Sequence, residues 1–305
     1  MAERVLVTGG AGFIGSHVVE RLIQLGYSVR VLDDLSSGCL SNLSSVVDRV
    51  EFVRGDVRRC EDVDAAVDGV DSVVHLAGLV SVAESFEKPL LYHEVNAGGT
   101  LRLLDACVRF GADRFVYASS CAVYGDPLRL PVNEGHPLNP LSPYAASKVA
   151  AEAYCQAFSP RVGVCVLRLF NVFGPRQRDG EYAGVIARFI GRVRRNLPPV
   201  IYGDGLQSRD FIYVGDVAEF FARAVERRDV VGVFNVGSGK RISVNELAEI
   251  ILKEAGKMDL KPVHTEARVG EVRHSEANAS KAFETFGYKP QITLDEGIRR
   301  LLDHV

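Results

Sequence analysis

Tyr144-Ala145-Ala146-Ser147-Lys148 sets a phenol and an ammonium four residues apart, and on a helix that spacing puts both on one face. A free tyrosine ionises near pH 10 and is a poor base at neutral pH, but a nearby cation favours its phenolate. Lowering its pKa by about 3 units takes roughly 4 kcal/mol, within reach of two cations in a partly desolvated site. Alone, such a pair is ordinarily a solvated helix face. Ser119-Ser120-Cys121-Ala122-Val123-Tyr124-Gly125 changes that reading, because its hydroxyls end a strand-like run just upstream. Phenol, ammonium and hydroxyl together make a proton relay.

A relay needs something to relay against, and the N-terminal glycines supply it. Thr8-Gly9-Gly10-Ala11-Gly12-Phe13-Ile14-Gly15 follows an apolar strand and opens a helix, fitting both GxxGxxG and GxGxxG. Such a run gives a tight turn, close backbone approach to a pyrophosphate, and close helix–strand packing, with the helix N-terminus facing the anion. The second strand ends at Asp33, 18 residues after Gly15, where a ribose-binding acid belongs. A carboxylate there accepts from both ribose hydroxyls and repels a 2′-phosphate, so the expected cofactor is NAD, not NADP. The tyrosine–lysine pair then sits beside a redox-active nicotinamide.

The elements that must position these groups alternate. Apolar runs of strand length lie at 5–8, 28–32, 50–53, 72–76, 114–118 and 163–169, and segments of helical period at 14–25, 62–67, 90–110 and 144–158. Continuous apolar strands between helices predict a parallel sheet covered on both faces, an α/β fold of Rossmann type, doubly wound, with ligands at the carboxyl ends of its strands. From 171 the rhythm loosens into a Gly/Pro/Arg loop at 174–184, an Arg-rich helix at 185–195, two strand–helix pairs (210–214 with 216–227, and 233–236 with 244–254) and a terminal helix from Leu294. The expected organisation is a dinucleotide-binding domain over 1–170, with 209–230 returning to it, and a smaller α/β substrate-binding cap over 171–305. The basic run Arg188, Arg192, Arg194 and Arg195 reads as a solvated helix face.

Composition narrows the function classes. The 305 residues are 47% hydrophobic and 25% charged, with net charge -3, which fits a packed globule and excludes the basic footprint of a nucleic-acid binder. No apolar run reaches the roughly 18 residues of a membrane span, and the first strand begins without a leader-like segment, so the expected location is cytoplasmic. Six scattered cysteines form no CxxC pair and no metal-ligand spacing, and no metal is expected.

In its motifs the chain resembles the extended short-chain dehydrogenase/reductase family and, within it, the UDP-glucose/UDP-galactose 4-epimerases. The carriers are TGGAGFIGSH (8–17), DDLSSG (33–38), GDV (55–57), HLAG (75–78), Asn96, SSCAVYGD (119–126), YAASK (144–148), RLFNVFGPRQ (168–177), SRDFIYVGD (208–216) and ARVGEVRHSEANASKA (267–282). The resemblance implies that Gly9, Gly12, Phe13, Ile14, Gly15, Asp33, Asp34, Ser37 and Gly38 hold the cofactor. Asp56 and Val57 would meet its adenine, and Leu76, Ala77, Gly78, Asn96 and Ser119 would line the rest. It implies Tyr144 as acid/base, Lys148 as its tuner and ribose ligand, and Ser120 as the hydroxyl on the sugar O4. Asn171, Arg209 and Arg268 would grip the substrate diphosphate, Ser275 would border the sugar C2 group, and the partners would be a UDP-sugar and a second copy of the chain in a homodimer built on 90–110 and 144–158.

Departures from the family pattern are equally informative. Cys121 and Ala122 stand where nucleotide-sugar 4,6-dehydratases place an Asp-Glu pair to eliminate water, and where decarboxylases want a glutamate nearby. Neither residue can do that work. A cofactor-sensing regulator without chemistry would lack the tyrosine or the lysine, and both are present. A small residue at Ser275 leaves room for an N-acetyl group, so UDP-N-acetylhexosamines are a second candidate substrate class.

Overall fold

The structure, a computed structural model, describes residues 3–178, 184–267 and 272–303. Its strands in chain order are β1 Arg4–Thr8, β2 Ser28–Asp33, β3 Val50–Arg54, β4 Ser72–His75, β5 Arg114–Ser120, β6 Gly163–Leu169, β7 Asn171–Phe173, β8 Val200–Tyr202, β9 Ser208–Tyr213, β10 Gly232–Val236, β11 Arg241–Ser243 and β12 Val263–Thr265. Seven of them form one parallel sheet in the order β3-β2-β1-β4-β5-β6-β10. The order in which strands are added reverses between β1 and β4, where Thr8 pairs with His75 at the carboxyl end. That switch point is where a doubly wound sheet opens its ligand crevice.

Strand periodicity explains the two covered faces. Val5 and Val7 point to one side and Leu6 to the other, all fully buried. The first face packs under helices Phe13–Gln24 and Val214–Glu226, the second under Cys60–Val67, Gly99–Phe110 and Pro143–Phe158. Each fully buried aliphatic side chain contributes about 1.5–3 kcal/mol. A third core, built on Phe173, Phe189, Phe211, Leu247, Ile251 and Ile298, holds the β11-β9-β7 and β12-β8 sheets together with helices Val185–Arg194, Val244–Glu254 and Leu294–Asp303. No helix among the described residues is long and apolar enough to cross a membrane.

Two expectations need correction. The helix read over 90–110 is broken into Pro89–Tyr92, a π-helical turn His93–Gly98 and Gly99–Phe110. The wide turn sits where the Asn96 side chain turns out to grip Leu79, accepting from its amide at 2.8 Å and donating to its carbonyl at 3.0 Å. Such turns are frequent at functional sites. The segment 209–230 does not return as a unit: β9 joins the small sheet, helix Val214–Glu226 packs on Phe13–Gln24, and the strand added to the large sheet is β10, pairing with β6. The three-residue strands β7, β8, β11 and β12 and helix Ser280–Phe286 carry too little periodicity to be read from sequence.

Candidate active site

The glycine turn is shaped for backbone approach. Gly9 takes φ +70°, and a Cβ on it would stand 2.7 Å from the Ala77 nitrogen. A Cβ on Gly15 would lie 2.1 Å from the Gly9 carbonyl oxygen, so strand end and helix start touch backbone to backbone. Helix Phe13–Gln24 has Gly12 at its N-cap and no side-chain cap, which leaves first-turn amides for an anion. Asp33 closes the other side. Its Oδ2 accepts from the Ala11 amide at 2.9 Å and its Oδ1 from the Leu35 amide at 2.8 Å. Burial raises its pKa while those two amides pull it down.

These residues line one large cavity of about 960 Å³. Its wall includes Gly9, Gly12, Phe13, Ile14, Gly15, Asp33, Asp34, Ser37, Asp56, Val57, Leu76, Ala77, Gly78, Ser119, Ser120, Tyr144, Lys148 and Asn171. Gly38 and Asn96 act from behind it. A Cβ on Gly38 would press on both Asp33 carboxylate oxygens at 3.0 Å, and Asn96 fixes the loop after β4. The Asp56 carboxylate is taken by Arg58, which draws its pKa down. Beneath the floor, Thr8 Oγ1 meets His75 Nδ1 at 2.7 Å and Thr100 Oγ1 meets its Nε2 at 3.0 Å. Burial pushes the His75 pKa down to about 3, so this imidazole is neutral and structural.

The tyrosine–lysine pair lies on helix Pro143–Phe158. The Ser142 hydroxyl caps that helix, accepting from the Ala145 amide at 3.1 Å, and Pro143 fits its first turn. Tyr144 thus stands at the positive end of the helix dipole. In the chain by itself, burial pushes its phenol up to about 12, with the Ser120 hydroxyl pulling down. Burial is the dominant influence in the chain by itself, and the lowering expected from the sequence belongs to the NAD-bound site. Lys148, on the same helix, donates its ammonium to the Ala118 carbonyl at 2.9 Å. Burial lowers Lys148 to about 8. Ser119, expected on the cofactor, donates its hydroxyl to Glu152 at 2.5 Å. Ser120 is therefore the hydroxyl beside the phenol.

The substrate side is divided. Asn171 Nδ2 donates to the Asp210 carbonyl at 2.9 Å, and its residue bridges the large cavity and a smaller one of about 140 Å³. Arg209 lines the smaller cavity, donating to the Ser208 carbonyl. Arg188 lines it too, with its guanidinium 5.4 Å from the centre of the Tyr202 ring, so the reading of 188 as a solvated residue is wrong. Arg192, Arg194 and Arg195 of the same run do cap backbone carbonyls at its edge. Ser275 borders neither cavity: it is buried, its amide donates to the Ser208 carbonyl at 3.0 Å, and its hydroxyl meets Cys121. Burial raises the Cys121 thiol to about 11, which keeps it neutral. Arg268 lies outside the described residues.

Sequence reasoning gave no role to several wall residues. Arg176 and Gln177 stand in the GPRQ run already noted, and Arg176 pairs with Glu20 at 2.6 Å across the glycine-turn helix. Ser81 and Glu84 follow β4, where the Tyr92 hydroxyl donates to Glu84 at 3.0 Å while accepting from the Ser81 amide, and the Tyr92 ring meets Tyr144 edge-on at 6.4 Å. No group of His, Cys, Asp and Glu among the described residues has the arrangement of a metal site.

The model of the NAD dependent epimerase/dehydratase family matches residues 5–237, and the chain belongs to that family. The UDP-glucose 4-epimerase of Mycolicibacterium smegmatis is 39% identical over 311 residues, spanning 98% of this chain and 97% of that protein. Among solved structures, the UDP-N-acetylglucosamine 4-epimerase of Methanobrevibacter ruminantium in complex with UDP-N-acetylmuramic acid superposes with TM-score 0.94 at 38% identity, covering 99% of this chain and 98% of that one. The Thermus thermophilus UDP-glucose 4-epimerase in complex with NAD gives TM-score 0.90 at 39% identity over 99% and 98%.

Proposed function

We propose, from membership of this family, that the chain is an NAD-dependent 4-epimerase interconverting UDP-glucose and UDP-galactose. One observation carries the reading: Tyr144, Lys148 and Ser120 share a cavity wall with the glycine turn and Asp33, and the neighbouring Cys121 and Ala122 add no second acid or base. The cavity fits the cofactor, since its wall joins the uncapped first turn of helix Phe13–Gln24 to the Asp33 carboxylate and its volume lies at the upper end of the 300–1,000 Å³ usual for ligand pockets.

Held by the glycine turn and Asp33, a bound NAD would supply a reversible acceptor for the C4 hydride. The remaining steps belong to this chain. Tyr144, as phenolate, accepts the O4 proton, and Ser120 donates a hydrogen bond to the sugar oxygen. Lys148, one turn along the same helix, is the chain's own cation for favouring the phenolate, and a bound NAD+ would add a second. The 4-keto sugar turns while its nucleotide stays held, and Tyr144 gives the proton back on the other face. Asn171, Arg209 and Arg268 serve the diphosphate, and the 140 Å³ cavity between Arg188, Tyr202 and Val244 suits the base.

The test is product analysis. Purified protein incubated with UDP-galactose is expected to yield UDP-glucose of unchanged mass. Loss of water would make it a dehydratase, and loss of carbon dioxide from UDP-glucuronate a decarboxylase. A second reading, turnover of UDP-N-acetylhexosamines, is favoured by the fit to the Methanobrevibacter enzyme, and no conversion of UDP-GlcNAc at high enzyme would remove it. A homodimer is proposed through helices Gly99–Phe110 and Pro143–Phe158, whose outer face carries exposed Ala146, Ala153 and Ala157. Light scattering checks its mass. Six free cysteines accord with a reducing compartment such as the cytoplasm.

A further inference from the structure

One turn beyond Lys148, helix Pro143–Phe158 buries a carboxylate. Glu152 is 7% exposed and its partner Arg168, on β6, is 4% exposed. Arg168 Nη2 reaches Glu152 Oε2 at 2.6 Å and its Nε reaches Oε1 at 2.9 Å, a bidentate pair. Arg168 is itself anchored. Its Nη1 donates to the Tyr124 hydroxyl at 2.9 Å, that hydroxyl donates to Asn235 at 2.6 Å, and the guanidinium lies 4.8 Å from the Tyr124 ring centre. Two charges removed from water this far are costly, and an apolar pair of similar volume would hold the helix to the sheet at least as well. Packing alone gives no reason for ions here.

The reason lies in what Glu152 holds. Its Oε1 accepts from Ser119, which stands opposite Arg168 in the β5–β6 register. Ser119 is flanked by the two residues of β5 that touch the catalytic pair: the Ala118 carbonyl accepts from Lys148 Nζ, and the Ser120 hydroxyl meets the Tyr144 phenol. A shift of the Ser119 side chain therefore moves both contacts.

We propose that Glu152, fixed by Arg168, is the positioning residue of the catalytic pair: it locks the end of β5 to the catalytic helix and sets its carboxylate one helical turn from Lys148. This rests on reading Tyr144 and Lys148 as the acid/base pair. The groups facing Lys148 are few. On its own helix they are Tyr144, Glu152 and Cys155, on β5 the Tyr117 ring at 5.0 Å, on β4 the neutral His75, and on β6, behind Glu152, the Arg168 guanidinium. Burial lowers the ammonium to about 8, and of the groups opposing burial Glu152 acts most strongly.

Glu152→Gln keeps size and acceptor and removes the charge. Its alkaline limb of kcat is expected about one pH unit below that of the wild type, with kcat near pH 8 down about fivefold and KM for the UDP-sugar within about twofold. Ser119→Ala is expected to lower kcat severalfold with the limb unmoved. Should Glu152→Gln fail to fold, leaving Arg168 buried without its anion, Glu152→Gln with Arg168→Met removes both charges and is expected to show the same displaced limb. An NMR titration of the Lys148 side chain judges the proposal apart from turnover: if the wild type converts no sugar nucleotide the functional reading falls, while a lower Lys148 pKa in the variant still supports the role of Glu152. Superimposable pH profiles and coincident Lys148 titrations in wild type and variant would overturn it, as would a Ser119→Ala protein of unchanged kcat.

Discussion

The amide of Ala11 donates to Oδ2 of Asp33 at 2.9 Å, which makes the glycine turn and the acidic end of β2 one unit. The Leu35 amide holds Oδ1 at 2.8 Å from the other side. Each carboxylate oxygen offers two lone-pair directions, so each keeps one for a ribose hydroxyl after satisfying its amide. The acid is thus oriented by backbone before any cofactor arrives. A 2′-phosphate would bring like charge against a group only 6% exposed.

Gly15→Ala tests the turn. A Cβ 2.1 Å from the Gly9 carbonyl forces backbone apart at the point where a diphosphate must approach. NAD affinity, followed by calorimetry or by cofactor retained through purification, is expected to fall at least about tenfold, with the fold retained by circular dichroism. Tight NAD binding in this variant would show that the turn is not the phosphate seat.

Tyr144→Phe tests the proton step. The ring is kept, and with it the edge-on contact to Tyr92, so structure and NAD content should not change. Removing a general acid/base costs about 10²–10⁴ in kcat. A variant with more than about a tenth of wild-type turnover would move the acid/base role to another group.

Much of this was legible in residue spacing because local rules agreed. Glycines after an apolar strand, an acid at the end of the next, and a helix bearing Tyr144 and Lys148 four residues apart are all short-range patterns with one physical meaning each. What was not legible depended on distant partners. Nothing near Ser119 says that its hydroxyl belongs to Glu152, 33 residues on. Arg188 reads as surface until β8 brings Tyr202 against it. Spacing also reports the cation near Tyr144 but not how deeply the phenol is buried or that Lys148 is bonded to Ala118.

Arg188→Ala tests the smaller cavity. If the base of the substrate sits there, it is held equally in ground and transition states. KM for the UDP-sugar should then rise about tenfold with kcat changed little, the signature of lost uniform binding. Steady-state kinetics with UDP-galactose decides it, and an unchanged KM would place the base elsewhere.

Lys148→Met tests what the ammonium costs the fold. Its folded pKa, about 8, lies below the ordinary lysine value of 10.5, and burial is the main cause. A depressed folded value means that the contribution favouring the folded state is present in full above the unfolded pKa and is lost as pH falls through about 8. At pH 7 the buried charge therefore costs about 3 kcal/mol, offset by about 1 kcal/mol from the hydrogen bond to Ala118. The methionine variant should be inactive yet about 2 kcal/mol more stable at pH 7, and its advantage should shrink between pH 8 and pH 10.5. Denaturant melts of the cofactor-free protein across that range check it. An advantage independent of pH would mean that packing, not the charge, sets the difference, while a less stable variant at pH 7 would mean that the Ala118 contact outweighs desolvation.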